Sequence, residues 1–338
     1  MKQSLFLLTF ALAIVSLSGC EKKQQQTTNN ETIEENVQTP CPSFRADSAF
    51  ADIQAQCDFG ARVPGTKAWE RCSDWIAGRF EESGLNVEVQ RTDVTIWDGT
   101  KLPCRNIIAR LNPKASDRIL LCAHWDSRPW ADSDPNPDNH HTPVPAANDG
   151  ASGVAVLLEL ARQMAADSTM TTGIDFVCFD VEDAGTPDWA EATTEENTWC
   201  LGSRYWAYNA GRDGYHAQFG ILLDMVGGRG ATFLKEQVSM SIAEPIVNLV
   251  WDTAEELGYG NYFVKEQGGA ITDDHVEVYR LTRTPCIDII PYYKDADSSF
   301  GPTWHTLNDT PENIDPQVRK AVGQTVMQVV YNYNKKNY

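Results

Sequence analysis

The chain has 338 residues, with 47 acidic against 28 basic side chains and a formal net charge of −19. That balance argues against nucleic acid or an anionic membrane surface as a partner, since both reward excess positive charge. An apolar fraction of 42%, with no internal repeat of about 20–50 residues, fits one large domain with a substantial core.

The amino terminus reads as processing signals rather than fold. Lys2, the apolar run "LFLLTFALAIVSL" and then "LSGC" match a bacterial lipoprotein signal over residues 1–19, with an apolar stretch too short to span a membrane. The next segment, residues 20–40, has almost no apolar side chains and cannot repay its ordering entropy. It is expected to tether a lipidated Cys20 to a catalytic domain over residues 41–338, which places the protein in the bacterial cell envelope, facing the periplasm. Membrane contact is expected only through that anchor.

Helical patterns follow at "DSAFADIQAQCDF" and "TKAWERCSDWIAGRFEESG", separated by the Gly- and Pro-rich "GARVPGT". Extended runs come next. "NVEVQRTDVTIW" alternates as a half-exposed strand does, whereas "CRNIIARL" and "RILLCAHW" are nearly continuous apolar runs, as buried strands are. From "GASGVAVLLELARQMAA" onward helix and strand alternate: "GIDFVCFD", "GSRYWAYNAG", "QFGILLDMVGG", "EPIVNLVWDTAEELG", "PCIDIIPY" and the closing amphipathic "PQVRKAVGQTVMQVVYNYNKK". Such alternation predicts an α/β fold, a mostly parallel central sheet with helices on both faces.

In open α/β sheets ligands bind beyond the carboxyl ends of the strands. The acids and histidines of this chain collect there: His124 and Asp126 after "LLCA", Glu182 and Asp183 after "FVCFDV", Asp224 after "ILL", and Trp304 and His305 in the loop after "CIDIIPYY". Asp149 opens a helix in "NDG", where a helix cap is the plainer reading for an isolated Asp-Gly. Taken together these groups suit a zinc site built from nitrogen and carboxylate oxygen. Cys41, Cys57, Cys72, Cys104 and Cys200 leave a disulfide open, while Cys122, Cys178 and Cys286 sit in strand-like runs as buried hydrophobes.

The order "HWDS", "NDGASGVAVLLELAR", "FVCFDVED", "GSR", "ILLDMVG", "DDH" and "WHTLNDTPENID" resembles the zinc-dependent glutaminyl cyclases of animal type, which share the fold of the M28 zinc aminopeptidases. The resemblance implies one zinc per chain, held by Asp149, Asp183 and His305, with Asp183 standing where the animal cyclases carry Glu. It implies Glu182 as the proton shuttle, with Asp273 of "ITDDH" and Asp224 joined to it in a proton-sharing network; Asp273 or Asp274 as a helix cap is the alternative. Trp304, Phe300, Trp199 and Trp189 are the expected aromatic walls for an N-terminal glutaminyl peptide or protein, cyclised to pyroglutamate with release of ammonia. The dinuclear aminopeptidases of the same superfamily use a set that would match His124, Asp149, Asp183, Asp224 and His305. An aminopeptidase is therefore the competing expectation, and an inactive peptide-binding module a third. The Pro-rich "ADSDPNPDNHHTPVP" is expected as a surface loop outside the chemistry, with His140 and His141 as bystanders.

Overall fold

The structure, a computed structural model, describes residues 39–193 and 197–336. The segment expected as a lipoprotein leader, and all of the expected tether except residues 39 and 40, lie outside the described residues. Two helices open the fold, α1 (Ala46–Asp58) and α2 (Lys67–Glu82), the second capped by the Thr66 hydroxyl accepting from the Trp69 N–H. Then follow β1 (Asn86–Thr95), β2 (Lys101–Leu111), β3 (Arg118–His124), α3 (Ala151–Ala165), β4 (Gly173–Phe179), α4 (Leu201–Arg212), β5 (Gly220–Leu223), β6 (Phe233–Lys235), α5 (Gln237–Glu256), β7 (Phe263–Gln267), α6 (Asp274–Thr282), β8 (Cys286–Ile289) and α7 (Pro316–Lys336).

The main sheet has the strand order β1-β2-β4-β3-β5-β8. Strands β4, β3, β5 and β8 are mutually parallel, and β2 is antiparallel to both β1 and β4. Alternate side chains of each strand enter two separate cores. Ile107, Ile119, Leu121, Ile174, Phe176, Ile221 and Ile287 pack with α1, α2, α3, α5 and α7. Ile108, Leu120, Cys122, Val177, Phe179 and Leu222 pack on the other face with Trp206 and Ala207 of α4 and Val278 of α6. The expected parallel sheet covered on both faces is the fold observed. Helix α3 touches the sheet with no side chain between them: a Cβ on Gly153 would lie 2.2 Å from the Leu223 carbonyl.

Differences from the sequence expectation are local. Helix α5 starts at Gln237 rather than beside Pro245, because it is two segments joined across a kink at Ala243 (φ −150°, ψ 40°). The small parallel pair β6–β7 is too short to carry a periodic signal. All eight cysteines of the described residues are free thiols, so the bridge left open is not formed. No helix of the described residues is long and apolar enough to cross a membrane.

Candidate metal centre and substrate pocket

The ends of the parallel strands converge on a cavity of about 630 Å³, the size of a ligand pocket. Asp149, Asp183 and His305 meet on one wall, with one donor atom from each within 4.8 Å of the others. His305 Nε2 is 3.1 Å from Asp183 Oδ1 and 3.7 Å from Asp149 Oδ2. A tetrahedral zinc with bonds near ~2.0–2.1 Å sets its ligand atoms roughly 3.3 Å apart, so this cage has the right dimensions. Asp149 Oδ2 and Asp183 Oδ2 are buried without a hydrogen-bond partner, an arrangement that calls for a cation. Asp149 does not cap α3: Gly150 is the capping residue, at φ 102°, and no side chain closes that helix end. The Asp149 carboxylate is thereby left for the cage.

Each of these groups is held from behind. Asp126 takes both backbone N–H groups of the turn after β4, Glu182 N and Asp183 N, at 3.1 Å each. Asp309 does the same for Asn148 N at 2.7 Å and Asp149 N at 2.9 Å. The turn itself is tight, with Val181 at φ 50°, and it is stapled by Cys200 N to the Glu182 carbonyl at 3.0 Å. The Cys200 thiol also donates to Glu182 Oε1 at 3.3 Å. Asp132, Asp309 and Cys200 were not expected from the sequence; only the His-x-Asp pattern after β3 pointed to Asp126.

In the same cavity Glu182 and Asp273 come together, with a carboxyl oxygen of each and Cys200 Sγ within 4.8 Å of one another. Asp273 has two structural contacts. It is the N-cap of α6, accepting from Asp274 N at 2.5 Å, and it faces Glu182. Asp224 lies in the same cavity but is bonded elsewhere, to His124 Nε2 at 3.1 Å; the charge of Asp273 acts on it and helps raise its carboxyl. Burial above all, then the charges of Asp183 and Asp273, push the Glu182 carboxyl well above the usual range against the pull of His124. Burial likewise raises Asp224 to about 7, despite the hydrogen bond to His124. Burial opposes the charged form of His124, yet its bonds to Asp126, Asp149 and Asp224 hold it well above the ordinary histidine value. His124, Asp149 and Asp224 form a second three-residue cluster of metal-ligand type.

Of the expected aromatic walls, Trp304, Phe300 and Trp199 line the cavity. Trp304 stacks on the His305 ring at 3.8 Å between centroids, and Trp199 lies parallel to it at 6.0 Å and 6°. Trp189 does not line the cavity, which corrects the expectation. Its ring is turned outward, 43% exposed, and packs against Trp130, His140 and His141. The loop after β3 contributes one buried acid. His140 and His141 are remote from the cage, but Asp132 of the same loop is buried, with Oδ1 3.5 Å from His305 Nδ1.

The chain is similar to several known proteins. The glutaminyl cyclase of Tannerella forsythia shares 52% identity, with a TM-score of 0.83 over 86% of this chain and 99% of that one. A Zn-dependent exopeptidase of Parabacteroides distasonis shares 49% identity, with a TM-score of 0.84 over 87% and 100%. The glutaminyl-peptide cyclotransferase of Bos taurus is 26% identical over 237 residues, 62% of this chain and 61% of its own. The first three curated relatives are each matched over only part of their length, from 32% to 61%. The sequence profile of Peptidase family M28 matches residues 106–330, and the chain belongs to that family.

Proposed function

We propose that the protein is a zinc-dependent glutaminyl-peptide cyclotransferase, an acyltransferase that converts the N-terminal glutamine of peptides and proteins to pyroglutamate. The observation that carries this is the pairing of Glu182 with Asp273 in the same cavity as the cage, two carboxyls placed to handle protons where no water need be activated. The similarity to the Tannerella forsythia cyclase over nearly its whole length supports the same reading.

Asp149, Asp183 and His305 would hold the single zinc, which supplies a Lewis acid for the γ-carbonyl oxygen of the substrate. The chain's own groups do the rest. Trp304, Trp199 and Phe300 enclose the glutamine side chain, hold it folded and keep water out. Because attack is intramolecular, fixing that geometry is itself a large part of the acceleration. The α-nitrogen bonds to the γ-carboxamide carbon, and the bond from that carbon to the amide nitrogen breaks. Glu182 takes a proton from the α-amine and returns it to the departing nitrogen, which leaves as ammonia. A carboxyl raised by burial and by its neighbour Asp273 suits a group that must both accept and donate.

The second reading is an aminopeptidase with two metals, and the His124–Asp149–Asp224 cluster favours it. One experiment separates the two. A peptide with N-terminal glutamine is incubated with the zinc-loaded protein and followed by mass and by free amino acids. Ammonia release with the chain length intact is expected. Release of free glutamine would overturn the proposal in favour of the peptidase.

A further inference from the structure

Arg128 and Asp132 form an ion pair behind the cage that the chemistry above does not use. Both side chains are about 1% exposed. Arg128 grips both carboxylate oxygens of Asp132, with Nε 2.7 Å from Oδ1 and Nη2 on Oδ2. The pair then reaches two different cage residues. Asp132 Oδ1 faces His305 Nδ1 at 3.5 Å, and Arg128 Nη1 donates to the Asp183 carbonyl at 3.1 Å.

The same two side chains also hold the pocket wall that follows Asp183. Asp132 Oδ2 accepts from Asp188 N at 3.1 Å, and the Arg128 guanidinium stacks 4.6 Å from the Trp199 ring centroid. Trp199 in turn lies over Gly185, where a Cβ would come within 2.1 Å of the indole. The two sides of the wall are closed on each other by the Thr198 hydroxyl, which accepts from Thr186 N at 3.1 Å and bonds the Thr186 hydroxyl at 2.9 Å. A carboxylate on the far nitrogen of a ligand histidine fixes the ring for metal binding. Here that carboxylate is not free to serve the metal alone, because it is shared with the wall.

We propose that the Arg128–Asp132 pair is a positioning device that couples the Trp199 wall to the metal cage, so that metal affinity and substrate fit rise and fall together. The inference rests on the assignment of Asp149, Asp183 and His305 as the metal ligands. A group that only stabilised the loop would leave the cage indifferent to it; a shared carboxylate makes the two sites reciprocal.

The test measures zinc affinity by chelator competition on the purified protein, and KM for a glutaminyl peptide at saturating zinc. Asp132→Asn is expected to weaken zinc binding by about 10- to 100-fold, and to raise KM even when zinc is saturating. Thr198→Val, which touches neither the pair nor a ligand, is expected to shift both quantities in the same direction by a smaller factor. It keeps the test open if Asp132→Asn fails to fold. A folded Asp132→Asn or Thr198→Val protein with a lower melting temperature but unchanged zinc affinity and KM would overturn the coupling. Asp183→Ala is the control for the underlying assignment: if it leaves zinc binding intact, the cage itself is misassigned, a failure distinct from that of the coupling.

Discussion

Replacing Glu182 by glutamine separates proton transfer from metal binding. The main-chain bonds that hold this residue, Glu182 N to Asp126, Asp183 N to Asp126 and Cys200 N to the Glu182 carbonyl, do not depend on its side chain. Glutamine also keeps the Oε1 that accepts from the Cys200 thiol. Asp183 should therefore stay in place and zinc should remain bound at the parent affinity. What disappears is the capacity to carry a proton, worth about 10²- to 10⁴-fold in rate for a positioned acid–base group. At 1.36 kcal/mol per decade, that is about 3 to 5 kcal/mol of barrier. The assay is a time course of ammonia release from a glutaminyl peptide at saturating substrate, with zinc content measured on the same sample. A turnover within tenfold of the parent would remove Glu182 from the shuttle role. Loss of zinc from the variant would show that the turn does not hold Asp183 independently of the side chain.

Three further outcomes are expected. Asp309→Ala removes the acceptor for Asn148 N and Asp149 N and should weaken zinc binding by about 10- to 100-fold in a chelator competition; unchanged affinity would refute the clamp. Although burial opposes ionisation, the His275 ring nitrogen 3.4 Å away and hydrogen bonds from Ser239 N and Ile271 N hold the Glu236 carboxyl at about 2 against an ordinary 4.5. Its stabilisation is therefore complete above about 4.5 and is lost as the pH falls towards 2, so Glu236→Gln should flatten the melting temperature across that window; a parallel curve for variant and parent would refute this. Gly153→Ala places a methyl 2.2 Å from the Leu223 carbonyl and should cost about 1–3 kcal/mol in urea unfolding, an expectation that an unshifted midpoint would overturn.

The strands and long helices were legible because their signal is local. Strand β4 reads "GIDFVCF", buried at every position, and α7 runs from Pro316 to Lys336 as expected, although it is buried all round from Ala321 to Tyr331 rather than on one face. The segments that escaped are those whose conformation is decided from outside. The pair β6–β7 exists through pairing between residues about thirty apart, and α5 continues through its kink because its flanks pack on the core. Asp273 shows why a motif can stay open between two readings: a cap has one oxygen to spend on the helix end, which leaves the other without a partner.

What the sequence determined by itself was the sheet, the strand ends that carry the chemistry, and the candidate set Asp149, Asp183, Glu182 and His305, since strand period and motif order are written along the chain. Tertiary structure alone decided which neighbours complete the site. Trp199 and Trp189 are both tryptophans beside one acidic insertion, yet one lies parallel to His305 and the other faces solvent. Asp132 looked like one more acid in a Pro-rich loop, and only folding brings it to His305, 173 positions along the chain from it. Composition fixes how many carboxylates a chain has. Which of them meet a histidine, an arginine or one another depends on contacts between distant segments, and those contacts form only when the core assembles.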